Sequence, residues 1–344
     1  MKRIRLGNKN LDIKSESLKR IVSATLACSE ITRESVSNRA SVSLSTAGKL
    51  LSALDECRFT ELKYNRNKGI GSPSKQHVFS DDISVLILDL SSSVYTAYTV
   101  FGKVKRVICE KHIYDSSLSF ENNIIVFLSN VGLQISKLNY SVSAICTVIA
   151  DNPERISYTS DAAYAYIPRM QDLVTVNGYC ARFFNAMPSL CLTNTEAITC
   201  AVRYNTFDIS VKSSFSYIGI SNSLNAFYLP KSASAISCNI DMLMIDNSTL
   251  FTDLAQRATT SADIAILIAR CINFMSCAYK PDDFWVEIDL GRFSDIEKRV
   301  ELFFRSAGLP LPHAHYVDIM PPATILGASL ELMNDLICSH IKGV

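Results

Sequence analysis

The sequence predicts a small α+β head, residues 1–80, followed by a two-lobed α/β body. Three observations lead there. Apolar residues recur at helical spacing in short runs up to about Leu54 and gather into strand-length runs after Asp81. Charge divides at the same place: residues 1–80 hold 15 Lys+Arg against 7 Asp+Glu, and residues 81–344 hold 19 against 26. In the body, an order of strands, helix and strand is followed by a second, less regular series of the same kind. With 48% apolar and 19% charged residues in 344, the chain can build large cores, and general disorder is excluded.

The head centres on Ile31–Thr60. Leu18, Ile21, Val22, Thr25 and Leu26 predict a first amphipathic helix. Val36 and Ala40, four apart, share a face of a second. Ser41-Val42-Ser43 interrupts the pattern, and Ser43 can cap a third helix by accepting from backbone N–H groups. Ala47, Leu50, Leu51 and Leu54 then form a buried stripe. The opposite face carries Ser45, Thr46, Gly48, Lys49 and Ser52, small or basic residues suited to a base edge or phosphate. Downstream, Phe59–Tyr64 reads as a strand, Asn65–Gln76 as a turn-rich basic loop, and His77–Phe79 as the returning strand. Three helices and a basic hairpin describe a winged helix-turn-helix. An ordinary helical hairpin with a polar outer face has the same apolar spacing, and the charge asymmetry favours the polyanion-binding reading.

In the body, Ser84–Leu90, Val94–Phe101 and Lys105–Ile113 predict three antiparallel strands joined by hairpin-sized gaps. Phe120–Leu138 has helical spacing, and Ser143–Ala150 is an apolar strand of a covered sheet. That order is the order of an actin-like, ribonuclease-H-like lobe. The second half predicts strands at Ser189–Leu192, Phe207–Ser221, Leu224–Leu229, Phe284–Ile288 and His315–Ile319. Its helices are expected at Thr195–Tyr204, Ser261–Tyr279, Asp295–Ala307 and Ala323–Ile341. The expected domains are 1–80, a first lobe at 81–190, a second at 191–322, and a closing helix at 323–344 that packs back on the body.

No window approaches ~18 uninterrupted apolar residues, so no membrane-spanning helix is expected. The basic N-terminus lacks the apolar run of a secretory signal. Eleven scattered cysteines without a CxxC pair fit reduced thiols in a cytoplasmic protein. His313-Ala314-His315 would aim two imidazoles one way on a strand, but two ligands without a third make no metal site, and no metal is expected. Tyr158, Tyr164 and Tyr166 are either lining for a cleft between the lobes or ordinary packing aromatics.

Head and body together resemble the ROK (repressor, open reading frame, kinase) family, in particular its xylose- and N-acetylglucosamine-type transcriptional repressors. The resemblance is strongest over Ile31–Thr60 and also runs through Ile83–Val104, Ile264–Arg292 and Thr324–Leu332 (TILGASLEL, similar to the family's Gly-Ala start to its final helix). The departures fall on the family's kinase machinery. Where its kinases carry Asp-x-Gly-Gly-Thr beside the phosphates, this chain reads Asp89-Leu90-Ser91-Ser92-Ser93, and the side chains obstruct an anion. The family's catalytic aspartate corresponds to Thr195 in Asn194-Thr195-Glu196, and threonine cannot take up a sugar hydroxyl's proton as a carboxylate does. The second phosphate hairpin, glycine-rich in the family, reads Gly219-Ile220-Ser221-Asn222-Ser223. The family's zinc module has no counterpart between Leu229 and Ser261, where Cys238 stands without a histidine. Only 12 glycines in 344 residues, about half the usual ~7%, repeat the point globally.

The resemblance implies a DNA-binding transcriptional regulator, a repressor in this branch, with a catalytically inactive sugar-kinase-like body and no cofactor. Ser43 to Ser52 is expected to lie in a major groove, with base-edge or flanking contacts from Ser45, Thr46 and Lys49 and with Gly48 permitting close approach; Arg33, Arg39, Arg66, Lys68 and Lys75 are the expected phosphate contacts. Its partners are then double-stranded DNA, a second copy in a homodimer formed through the body, and a sugar or sugar derivative as an effector left open. An ATP-dependent sugar kinase with a regulatory head, and a scaffold that no longer binds DNA, are the alternatives.

Overall fold

The computed structural model describes residues 15–28, 30–65, 74–81, 83–92, 94–101, 105–137, 141–150, 168, 170–205, 214–220, 224–230, 236–237, 260–318 and 322–342. The chain divides into two compact units: Met1–Phe207 with Thr324–Val344, and Asp208–Ala323.

Unit 1 begins with α1 (Ser15–Ala27), α2 (Arg33–Ala40) and α3 (Leu44–Glu56), followed by the antiparallel hairpin of β1 (Thr60–Asn65) and β2 (Ser74–Phe79). This is the element order of a winged helix-turn-helix. In α1, Leu18, Ile21, Val22, Thr25 and Leu26 are buried, the stripe their spacing predicts. Beyond the hairpin, β3 (Ser84–Asp89), β4 (Val94–Phe101), β5 (Lys105–Ile113), β6 (Val142–Ile149) and β7 (Leu190–Thr193) form a sheet in the order β5-β4-β3-β6-β7. β3, β4 and β5 are antiparallel neighbours; β6 runs parallel to β3, and β7 to β6.

The sheet is covered on both faces, which is why β3 is an unbroken apolar run rather than an alternating one. Leu86 and Leu88 point to α4 (Phe120–Lys137) and α5 (Leu173–Phe184), packing with Ile124, Phe127, Val131, Val176 and Cys180. Val85 and Ile87 point the other way. They join a cluster that takes in Ala197 of α6 (Asn194–Asn205), Ile325, Leu332 and Ile337 of α9 (Ala323–Lys342), and Ile21, Leu26, Leu50 and Leu54 of the three-helix head. Head, sheet and α9 therefore share one core. Lys19 of α1 pairs with Asp335 of α9 at 3.2 Å, Asn334 donates to Ser23 Oγ at 3.0 Å, and the Phe59 ring meets His340 edge-on at 5.3 Å.

Unit 2 repeats the topology. β8 (Phe215–Ile220), β9 (Leu224–Leu229), β10 (Ile236–Ser237), β11 (Asp283–Ile288) and β12 (Ala314–Asp318) lie in the order β10-β9-β8-β11-β12. Each sheet thus places its strands third, second, first, fourth, fifth, with the last two parallel to the first. This duplicated lobe is the actin-like body. α7 (Ser261–Tyr279) and α8 (Ile296–Ser306) pack on the second sheet through Ile264, Ile268, Ile272, Val300 and Phe304.

Sequence spacing and structure agree at β4, β5 and α7 to the residue. α5 was not indicated by the sequence, and the part of the expected Phe207–Ser221 strand before Ser214 lies outside the described residues, as do Tyr158, Tyr164 and Tyr166. α7 also qualifies by length and composition as a membrane-crossing helix, which the count of uninterrupted apolar residues missed. Eight of its residues, from Ile264 to Met275, are buried in the core of unit 2. No disulfide joins the nine cysteines whose side chains are described.

Candidate functional site

α2 is fixed at its start by a reciprocal cap: Thr32 Oγ1 accepts from Ser35 N–H at 3.1 Å, and Ser35 Oγ accepts from Thr32 N–H at 2.9 Å. It ends at Ser41, whose left-handed backbone (φ 51°, ψ 50°) turns the chain out of the helix. Val42 N–H returns to Ser37 O at 3.1 Å, and Ser37 Oγ donates to Val42 O at 2.6 Å, so the turn is tight and hydrogen-bonded. Ser43 then caps α3, accepting from Thr46 N–H at 3.1 Å, with Thr46 Oγ1 2.9 Å from its hydroxyl.

Ala47, Leu50, Leu51 and Leu54 are buried. That leaves Ser43, Leu44, Ser45, Lys49 and Ser52 exposed and Thr46 half-buried along the outer face. Leu44, 53% exposed at the first turn of the helix, went unnoticed in the sequence, although its position one residue past the cap places it there. Gly48 departs from the expectation of an open position. It is buried, and a Cβ there would lie 3.0 Å from Arg33 Nε, so its missing side chain makes room for the arginine of α2. Arg33 and Arg39 are exposed at opposite ends of α2.

The hairpin is clasped to α3. Asp55 Oδ1, near the end of α3, accepts from Thr60 Oγ1 at 2.6 Å and lies 3.0 Å from His77 Nδ1. His77 N–H also donates to Ile31 O at 2.9 Å. Lys75 stands opposite Tyr64 in the β1–β2 register, and its side chain, with Arg66 and Lys68, lies outside the described residues.

In the body, Asp89 ends β3, and Ser91 turns back on it, N–H at 3.0 Å and hydroxyl at 2.6 Å to Oδ1. Burial raises the Asp89 pKa, against those two hydrogen bonds. Ser92 Oγ donates to Val94 O at 3.1 Å. The serines thus spend their polar groups on their own loop. Thr195 occupies the second position of α6. Its neighbour Asn194 accepts from Thr324 Oγ1 at 2.7 Å, and Glu196 folds back to accept from Thr193 N–H at 2.8 Å. Gly219 is lined by Tyr217: a Cβ there would fall 2.8 Å from the phenol Cζ. The Tyr217 hydroxyl donates to Glu287, which also accepts from Ala323 N–H at 2.9 Å. Asn222 lies outside the described residues. For metal ligation, the structure brings one trio together among the described residues, Asp283, His313 and His315, supplying the third ligand that the histidine pair lacked in sequence.

No family model matches the sequence, and no curated protein does. Solved structures do. The chain is similar to a ROK family transcriptional regulator, a homolog of the E. coli MLC protein, at 12% identity and TM-score 0.55, over 95% of this chain and 98% of that one. The chain has the ROK fold. It is also similar to a ROK family glucokinase from Streptomyces griseus solved with glucose and AMPPNP, at 9% identity and TM-score 0.52, over 73% of this chain and 99% of that one. Glucokinase from Balamuthia mandrillaris, solved with glucose, gives 9% identity and TM-score 0.50 over 73% and 93%. The match to the regulator covers 95% of this ROK-fold chain and the match to the glucokinase 73%, a difference of 22 percentage points, or about 76 of 344 residues, close to the length of 1–80.

Proposed function

We propose that this chain is a ROK-type transcriptional regulator that binds double-stranded DNA through α3 and the hairpin, and that its body does not transfer phosphate. The observation that carries the reading is α3 itself. It is capped by Ser43, buried along one side, and open along Leu44, Ser45, Lys49 and Ser52. In the complex, α3 lies in a major groove. Ser45, Thr46 and Lys49 meet base edges or flanking phosphates, and Leu44 meets a thymine methyl. Arg33 and Arg39, and Arg66, Lys68 and Lys75 from the hairpin, neutralise backbone phosphates. No Arg or Gln leads α3, so phosphate contacts and DNA shape carry a large share of the specificity. Two heads on a homodimer read two half-sites.

For the body, the reading is supported by Thr195 at the base position, by Glu196 committed to its capping bond, and by Ser91 closing on Asp89. The glucokinase-like fold is what favours the kinase alternative.

Selection of bound genomic fragments, followed by titration of the best one at several salt concentrations, tests the proposal. Binding should fall steeply with salt, by about 0.9 in log K per log salt for each phosphate contact. No retention of any fragment at low salt would overturn it. Mg-ATP should neither raise the melting temperature nor be consumed with hexoses; turnover with any hexose would establish the kinase instead.

A further inference from the structure

The regulator reading leaves one cluster in unit 2 without a role. We propose that Asp283, His313 and His315 form a binding site for a divalent transition-metal ion of the Zn²⁺ class. The fold assembles it from two parallel strands. β11 and β12 pair with Phe284 opposite Ala314 and Trp285 opposite His315, which sets Asp283 beside His313. Side chains alternate along a strand, so residues 283, 313 and 315 share one face.

The side chains converge. Asp283 Oδ1 contacts His313 Nδ1 and lies 3.9 Å from His315 Nε2, and the three donor atoms fall within 4.8 Å of one another. The imidazole rings are 4.9 Å apart and nearly perpendicular, at 84°. Tetrahedral donors ~2.0–2.1 Å from one ion stand about 3.3–3.4 Å apart, so the exposed His313 ring has to re-seat, drawing back from Asp283, to complete the set. Independently, His315 Nε2 is shielded from solvent and has no hydrogen-bond partner. A buried polar atom left in that state calls for a partner, and an ion held by Asp283 and His313 supplies one.

The chemistry selects the ion. Two imidazoles and one carboxylate suit Zn²⁺ and its neighbours, whereas Ca²⁺ and Mg²⁺ demand more oxygen ligands. His313 is 72% exposed at its side chain, which leaves a fourth position to water. The site is separate from the Cys-rich element that the family resemblance would place between Leu229 and Ser261. Bound metal staples the start of β12, the edge strand, to β11.

Titration of the untagged full-length protein with Co²⁺ tests this. One equivalent should bind saturably, with the visible absorption of a low-coordinate site, and Zn²⁺ should displace it. Asp283→Asn and His313→Ala should each weaken binding at least tenfold, while His340→Ala, a histidine in α9, leaves it unchanged. His313 is exposed, so its variant should keep the wild-type circular dichroism. Absence of saturable one-to-one binding, or binding that both variants retain, would overturn the site; the second result would assign the metal to the thiols.

Discussion

A methyl group on Gly327 would fall against the Ala197 carbonyl oxygen and 2.6 Å from Ala201 N, so α9 and α6 touch through backbone with no room for a side chain. Gly327→Ala is expected to destabilise the protein by about 1–3 kcal/mol or more, read by denaturant unfolding, because neither neighbour can rotate away. Glu287 presents a different residue-scale case. Burial raises its pKa above the ordinary 4.5, despite hydrogen bonds from Tyr217 and Ala323 that favour the anion. A raised folded-state pKa means stability that is fully present below 4.5 and is lost as pH climbs through the raised value. Glu287→Gln removes that titration. The stability difference should therefore move against wild type as pH rises from 4.5 and then level off; a difference flat with pH would refute the assignment. Both residues show what the sequence hides: a glycine's rarity is countable, but the atom that excludes its Cβ is not. Gly48 read as an opening toward a ligand and proved to be the seat of Arg33.

Among elements, the α3–hairpin clasp is the one the proposed DNA-binding surface depends on, since it fixes the hairpin against the helix. Asp55→Ala strands His77 and Thr60 without their acceptor, at a cost of about 1–3 kcal/mol. Hydrogen exchange should show β1 and β2 losing protection while α2 keeps it. Lys49→Ala should weaken DNA binding across sequences and reduce the salt slope by about 1, leaving stability unchanged. Most elements were legible because one physical signal dominated each. β4 and α7 have strong apolar periodicity and clear ends, and α7 has a Thr260–Asp263 capping box. α5 was missed although Leu173, Val176 and Cys180 bury at helical spacing, because Val174, Thr175, Val176 and Gly178 are poor helix formers and tertiary packing overrides them.

At the scale of the molecule, the strand order of the first lobe was legible from the sequence of runs and gaps, whereas in the second lobe the two-residue β10 was too short to leave a signal. The shared core of head, sheet and α9 was not legible, since its members are hundreds of residues apart. The same holds for Asp283 and His313, which meet only because α8 carries the chain to a parallel neighbour. Ile337→Ala, a cavity in α9, is expected to cost about 2–5 kcal/mol. It should raise exchange in α1–α3 and in β3 and β6 together, because these residues sit in one cluster. Exchange confined to the head would show that the core is not cooperative.

That arrangement bears on how the protein is made. Thr324–Val344 belong to unit 1, yet they leave the ribosome only after all of Asp208–Ala323. Head and first lobe emerge before α9, so the apolar surface that α9 covers stays open while unit 2 is translated. A chain interrupted inside unit 2 holds every residue of α3 and still lacks the helix that completes its support. The three-helix head then reaches its final packing only once α9 has followed the whole of unit 2 out of the ribosome.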